Sequence, residues 1–493
     1  VETAPSFDFK KNIEKALSDA QLRKNLRSAM DILVAKRKTV FPDADMLERL
    51  RTKGNALKRN ALIQLPRLLE RLEANCTKNG IQVHWAETAP EANGIVLEIL
   101  RRHDAAEVVK GKSMVSEEMH LNHFLAENGI DALETDLGEF IIQLNHETPS
   151  HIIVPAIHKN RDEVARIFCE KIPDTPYTEN VEALTAIARK TLRARFARAK
   201  AGISGVNMAV AETGTLVLVE NEGNGRMCTT VPEVHIAVMG IEKVVERLSD
   251  VPPLLRLLTG SATGQVITTY VNMITSPRKP GEKDGPKEVH LVLLDNGRSR
   301  ILADPAFRET LLCIRCGTCL NHCPVYVRIG GHAYGHVYPG PIGKLLTPMM
   351  EGLSRAGELP AASSLCGACE AVCPVKIPIA SLLRRLRHEN VRENPNSVVE
   401  GSGVGKNLAE TLVWKGWVLA NLQPALNRLG VKGVSWMGDR LPRIGPLKEW
   451  TSVRTAPRFA GKTLHERIKE DEIVKSRNWD GKVKSSRCKA RKF

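Results

Sequence analysis

The sequence is poor in aromatic residues, has no long apolar run, and lacks one cysteine in a motif that otherwise occurs twice. Phe, Trp and Tyr make up 4 % of the 493 residues, too few for the stacking platforms that hold single-stranded nucleic acids. No stretch approaches the roughly 18 apolar residues that a membrane-crossing helix needs. Val1 to Lys11 has no signal-peptide core, so the chain reads as cytoplasmic. No flavin or nicotinamide fingerprint is evident, which moves hydride chemistry elsewhere or to an unusual site.

The net charge of +15 suits nucleic acid, an anionic membrane surface or an acidic protein partner. It is unevenly spread. Thr451 to Phe493 holds 13 Lys and Arg against 5 Asp and Glu, more than half of the excess. Such an end reads as a solvated basic tail, with peripheral membrane contact or docking to an acidic partner as its functional alternatives. Nothing resembles a nucleic-acid reader motif, so no nucleic acid is expected as a partner.

Seven of the eleven cysteines lie between residues 313 and 374. Cys313-Ile-Arg-Cys316-Gly-Thr-Cys319-Leu-Asn-His-Cys323-Pro324 is the C-x2-C-x2-C-x3-C-P run that wraps cubane iron-sulfur clusters, whose fourth cysteine serves the other cluster. Ser363-Ser-Leu-Cys366-Gly-Ala-Cys369-Glu-Ala-Val-Cys373-Pro374 repeats it with serine in the first place. The spacing assigns Cys313, Cys316, Cys319 and Cys373 to one [4Fe-4S] cluster, and Cys323, Cys366 and Cys369 to a second. The fourth iron of the second cluster is left to Ser363, water or an exogenous group, or that cluster is [3Fe-4S]. Thiolate tetrads also hold structural zinc, but zinc ribbons rarely carry this run twice. A disulfide framework is disfavoured by the metal-ligand spacing. Cys76, Cys169, Cys228 and Cys488 are isolated and read as buried or incidental thiols.

Residues 1–75 form a helical lead-in with apolar stripes, such as Leu62, Leu65, Leu69 and Leu72, and suggest no chemistry. From 76 to 300, short strands alternate with helices, which predicts an α/β domain with a largely parallel sheet. Its strands include Ile81–Trp85, Gly138–Leu144, Gly214–Val219, Val234–Val238 and His290–Leu294. A helix is expected over Ile241–Leu248, and another capped by Ser116. The stretch Gly202 to Thr230 is dense in glycine and small polar residues, and its Glu220, Glu222 and Arg226 are candidate pocket groups, although turns need the same residue types. Residues 301–393 hold the cysteine motifs, with helices around Ile342–Arg355 and Ile379–Leu386 that suggest clusters held between helices. His332 and His336 are four apart, but Gly330, Gly331 and Gly335 oppose the helix that would join them on a metal. Residues 394–493 form an irregular extension, with Trp414, Trp417, Trp436 and Trp450, that ends in the basic tail.

With Gly-Ile-Ser-Gly-Val-Asn, Ala-Glu-Thr-Gly-Thr, Asp295-Asn-Gly-Arg-Ser, Gly330-Gly-His-Ala-Tyr-Gly and the cysteine motifs in hand, the chain resembles the lactate utilization protein B family. The resemblance implies an α/β domain of the sugar-isomerase and CoA-transferase-like type followed by an α-helical ferredoxin. It carries seven cluster cysteines onto Cys313, Cys316, Cys319, Cys323, Cys366, Cys369 and Cys373. It also implies an electron-transfer subunit of a cytoplasmic complex that oxidises L-lactate to pyruvate with two other subunits and an unassigned electron acceptor. The alternative makes the α/β domain catalytic, with Glu220 or Glu222 in acyl-CoA or sugar-phosphate chemistry.

Overall fold

Asp8, Asp19 and Asp43 each cap a helix by accepting from a backbone N–H three residues on, at 2.8–2.9 Å. They open α1 (Phe9–Ser18), α2 (Ala20–Val40) and α3 (Ala44–Ile63). Pro66 stands in the first turn of α4 (Leu65–Lys78), where its missing N–H costs nothing. The computed structural model describes residues 8–405, 407–437 and 460–470. It divides the chain into one unit over residues 1–405 and another over 406–493.

Among the described residues, ten strands follow these four helices: β1 (Gln82–Ala86), β2 (Glu107–Lys110), β3 (Asp131–Glu134), β4 (Ala201–Gly205), β5 (Met208–Val210), β6 (Thr215–Glu220), β7 (Val234–Gly240), β8 (Val244–Val245), β9 (Tyr270–Ile274) and β10 (Glu288–Leu294). Six form a sheet ordered β1-β10-β7-β4-β2-β3 in which every neighbouring pair is parallel. Its central strands β4 and β7 are buried along their whole length, as expected where helices cover both faces. Gly202 shows how closely they cover it. A Cβ there would stand 1.9 Å from the Cys228 carbonyl oxygen, so only glycine lets the helix Asn224–Thr230 lie on β4. The other four strands make a smaller mixed sheet ordered β8-β5-β6-β9.

Three local expectations are corrected. Leu137–Leu144 is a helix and not a strand, because Asp136 caps it by accepting from Glu139 N at 3.2 Å. The strand of that region is β3, a few residues earlier. Ile241–Leu248 is not an α-helix but a 3-10 turn followed by β8, whose Val244 and Val245 pair with Ala209 and Val210 of β5. The cap expected at Ser116 is Ser113, whose hydroxyl accepts from Ser116 N.

The lead-in helices are not a separate layer. Leu26 and Met30 of α2 and Leu65, Leu68 and Leu72 of α4 share one buried core with Leu320, Tyr326, Leu345 and Leu386 of the cysteine region. Helices Gly340–Glu351 and Ile379–Val391 flank the motifs.

In the second unit, Asn407 caps the helix Leu408–Leu422, and Pro424–Met437 forms another. Trp414 and Trp417 meet edge to face at 5.8 Å. Of the basic end, only residues 460–470 are described, including the helix Leu464–Glu470. Trp450, Cys488 and most of the expected basic tail lie outside the described residues. Among the described residues, no helix is long and apolar enough to cross a membrane.

Candidate metal centre

The two cysteine motifs adopt one backbone shape twice. Arg315 and Leu365, each just before a cysteine, have φ of +60° and +53°, and Gly317 and Gly367, each just after it, have φ of +71° and +77°. Left-handed residues alternating in this way turn successive N–H groups toward one point, a nest suited to anionic sulfur. Gly317 and Gly367 each open a short helix, Thr318–Asn321 and Ala368–Val372, that carries the next cysteine inward. The first residue of each motif is equivalent as well. Cys313 Sγ accepts from Arg315 N at 3.4 Å, and Ser363 Oγ accepts from Leu365 N at 3.2 Å. Ser363 therefore stands where the missing cysteine would.

Two cavities separate the seven thiols. One is lined by Cys313, Cys316, Cys319 and Cys373, with Ile152, Ile342, Ile377 and Ile379 as apolar wall. The other is lined by Cys323, Cys366 and Cys369 together with Ser363 and Ser364. Each cavity draws its cysteines from both motifs. The first is deep, with Cys316, Cys319 and Cys373 all buried, whereas Cys366 of the second is exposed.

The donor sets fit polynuclear iron-sulfur cores better than a single ion. Thiolates tetrahedrally bound to one zinc at about 2.3 Å lie roughly 3.8 Å apart. Among the described residues, no three cysteine sulfurs lie within 4.8 Å of one another. Burial and mutual repulsion push Cys316 and Cys319 well above the usual thiol range, and burial pushes Cys369 and Cys373 up to about 11. Such thiols lose their protons only to a strongly cationic centre. Backbone donors already point at the sulfurs, with Tyr326 N to Cys323 Sγ at 3.5 Å and Ile377 N to Cys373 Sγ at 3.4 Å.

Side chains far away in the sequence hold these loops. Arg51 of α3 donates to the Cys373 carbonyl at 2.9 Å, Asn55 to that of Val375 at 2.7 Å, and Arg37 of α2 to that of Val372 at 3.3 Å. Lys344 is buried, with Nζ 3.8 Å from Cys323 Sγ. Lys58 and Lys243 are held near 8 by burial, against the attraction of Glu242 and Cys313. These cations offset the negative charge of thiolates gathered in a dry site. The lead-in helices, expected to carry no chemistry, thus supply the groups that fix the second motif. A basic residue on a helix is usually solvated, so only the fold identifies Arg37 and Arg51. His332 and His336 do not meet on a metal. His332 contacts the Thr148 carbonyl and His336 the Glu351 carboxylate.

The α/β region has polar groups of its own at the carboxyl ends of the strands, where ligands of such sheets bind. Lys110, the last residue of β2, pairs with Glu134, the last of β3, and with Glu117 at 3.2 Å. Glu220 accepts from Gly225 N and Arg226 N at 3.1 and 2.9 Å, which fixes the start of the helix Asn224–Thr230. Glu222 is exposed as a residue, but its carboxylate turns in to accept from Leu137 N at 3.0 Å. Burial of that end and repulsion from Asp136 raise it to about 7. Glu222 and Arg226 line a cavity of about 1050 Å³ with Arg189, Arg193, Phe196 and Tyr270. Glu220 does not line it.

Burial raises Glu139 to about 8, against Lys112, whose Nζ lies 3.7 Å away, and with repulsion from Glu134 and Glu117 adding to the rise. A carboxyl whose folded pKa exceeds its unfolded value destabilises the fold as pH rises between the two. Glu139→Gln is therefore expected to match the parent below about pH 4.5 and to become progressively more stable than it up to about pH 8. The slope is at most about 1.4 kcal/mol per pH unit. Urea unfolding across that range measures it, and a parallel shift at all pH values would contradict the assignment.

Three family models match the chain: LUD domain over residues 69–294, 4Fe-4S dicluster domain over 309–377, and the C-terminal part of lactate utilisation protein B over 385–473. An Escherichia coli K12 protein named uncharacterized electron transport protein YkgF is 40 % identical over 482 residues, covering 96 % of this chain and 98 % of its own. Lactate utilization protein B of Bacillus subtilis 168 is 39 % identical, covering 94 % and 98 %. Its namesake in Bacillus velezensis is 41 % identical, covering 91 % and 94 %.

Proposed function

The chain belongs to the lactate utilization protein B family, and from that premise we propose that it is the iron-sulfur electron-transfer subunit of a cytoplasmic system that oxidises L-lactate to pyruvate, allowing growth on lactate. The observation that carries this reading is the pair of cysteine-lined cavities, each built from both motifs. In our reading Cys313, Cys316, Cys319 and Cys373 hold one [4Fe-4S] cluster. Cys323, Cys366 and Cys369 hold a second, whose fourth iron takes Ser363, water or an exogenous group, or which is a [3Fe-4S] cluster.

Bound clusters supply one-electron transfer, and the protein sets their potentials through charge, hydrogen bonds and burial. This chain's residues do the rest. The nests and the N–H donors at Cys313, Cys323 and Cys373 stabilise negative charge on sulfur. Arg37, Arg51 and Asn55 hold the second loop against the first, and the apolar wall of the deep cavity keeps water out. Exposed Cys366 makes the shallow cavity the face at which electrons enter from or leave to a partner.

Lactate oxidation releases two electrons and two protons, and two other lactate-utilisation subunits supply the site where the C–H bond breaks. The α/β region is read as sugar-isomerase and CoA-transferase-like, with the domains divided near residues 75, 300 and 393. The basic tail is read as a peripheral contact with a membrane surface or an acidic partner. The purified chain alone should reduce a dye with lactate at background rate, and adding both partner subunits should restore turnover. Full lactate-dependent reduction by the chain alone would refute the electron-transfer role.

The cavity beside Glu222 favours one second reading, in which the α/β domain acts on an anionic substrate such as an acyl-CoA or a sugar phosphate. Glu220 does not line this cavity, so Glu222 is the remaining carboxylate. If Glu222→Gln leaves the assembled system at parental activity with its clusters loaded, this reading fails.

A further inference from the structure

Away from both cysteine cavities, at the amino ends of the parallel strands, three ligand atoms converge from separate elements. His103 follows helix α5 (Ala89–Arg102) as its C-cap residue, and Glu288 and His290 are the first and third residues of β10. Both His103 Nε2 and His290 Nε2 lie 3.4 Å from Glu288 Oε2. All three atoms are within 4.8 Å of one another, and no other such group of His, Cys, Asp and Glu occurs among the described residues.

From these contacts we infer that His103, Glu288 and His290 form a site for one divalent late first-row transition ion of the zinc type. Four observations converge on it. Ligands at about 2.0–2.1 Å around a tetrahedral ion lie roughly 3.3–3.4 Å apart, which matches the two nitrogen-to-oxygen distances. Both Nε2 atoms are buried, and neither has a well-formed hydrogen bond, their nearest acceptor Glu288 Oε2 standing 3.4 Å away. His290 is fully buried, so its ring nitrogen has no water to turn to, and an unpartnered buried polar atom is costly.

The fourth observation concerns the ring's other face. His290 Nδ1 lies 3.0 Å from His84 Nε2 on β1, with the two rings stacked at 5.3 Å. If Nδ1 carries the hydrogen and donates it to His84, Nε2 is left with its lone pair toward Glu288. A ligating histidine is typically oriented by such an outer hydrogen bond. His84 is therefore a positioning residue.

Two imidazoles and one carboxylate suit zinc, cobalt or nickel better than calcium or magnesium, which prefer oxygen. A tetrahedral ion keeps its fourth corner for water. The ion ties the end of α5 to the start of β10. Its role is thus to fasten the fold rather than to serve the redox site.

Cobalt(II) added to the anaerobic full chain with its clusters loaded is the test. One equivalent should give the visible bands of a tetrahedral nitrogen and oxygen site, without sulfur-to-cobalt charge transfer, and zinc should displace it. His103→Asn, at a partly exposed position, should remove this equivalent while circular dichroism and cluster absorption stay parental. His84→Phe should weaken it by about 10- to 100-fold. His290→Gln should also remove it, but a folding defect would explain that result equally, so His103→Asn decides. Unchanged cobalt binding in His103→Asn, sulfur charge-transfer bands, or no bound equivalent in the parent overturns the inference.

Discussion

Replacing Cys373 by Ser should remove about half of the iron and leave one cluster type intact. Cys373 lines the cavity of Cys313, Cys316 and Cys319 although it belongs to the other motif, so its loss strikes the fully thiolate set. Cys323→Ala should do the reverse, because only two thiols then remain beside Ser363. Low-temperature EPR and iron counting on both variants distinguish the outcomes. If Cys373→Ser altered only the cluster of Cys366 and Cys369, each motif would close on itself and the exchange of ligands would be wrong. Ser363→Cys adds a check on the open iron: the variant should favour [4Fe-4S] over [3Fe-4S], and an unchanged spectrum would place Ser363 outside the coordination sphere.

Glu242→Gln should destabilise the chain by about 3–5 kcal/mol, the usual cost of breaking one partner out of a buried ion pair. Glu242 accepts from Arg298 Nε at 2.6 Å and from Arg315 Nη2 at 3.4 Å. Arg298 also makes a two-pronged contact with Glu118 at 2.9 and 2.8 Å, and Tyr338 donates to the same carboxylate at 2.6 Å. All five side chains are nearly or wholly buried. Against the burial that would raise it, Arg298, Arg315 and Lys243 hold Glu242 near 2. Its contribution is therefore present above about pH 4.5 and lost as pH falls toward 2. Arg315 lies between Cys313 and Cys316, so the variant should also release iron from the deep cavity at lower denaturant than the parent. Parental unfolding and iron release would show that the network contributes little.

The grouping of the seven cysteines into two cavities was legible because it follows from local spacing, and the parallel α/β sheet because strand and helix alternate over short distances. The Leu137–Leu144 segment misled because Phe-Ile-Ile is equally apolar in either conformation, and its only helical signal is the Asp136 cap. Contacts that close over long sequence distance left no trace. Nothing in the sequence pairs Arg51 with the carbonyl of Cys373, or Arg298 with Glu118 and Glu242. Likewise Glu220 and Glu222 look alike in sequence, and only the fold gives one to a helix start and the other to a cavity.

The building of each cavity from both cysteine motifs also constrains how the protein is made. Ribosomes add about 5–20 residues per second, and about 50 residues separate Cys323 from Cys373. For roughly 3 to 10 seconds, then, a nascent chain offers three thiols of the deep cavity with no fourth. A cluster delivered in that interval would meet an iron without its thiolate, open to oxidants and to capture by nearby Cys323. Correct maturation therefore favours a delivery system that waits for the second motif to emerge.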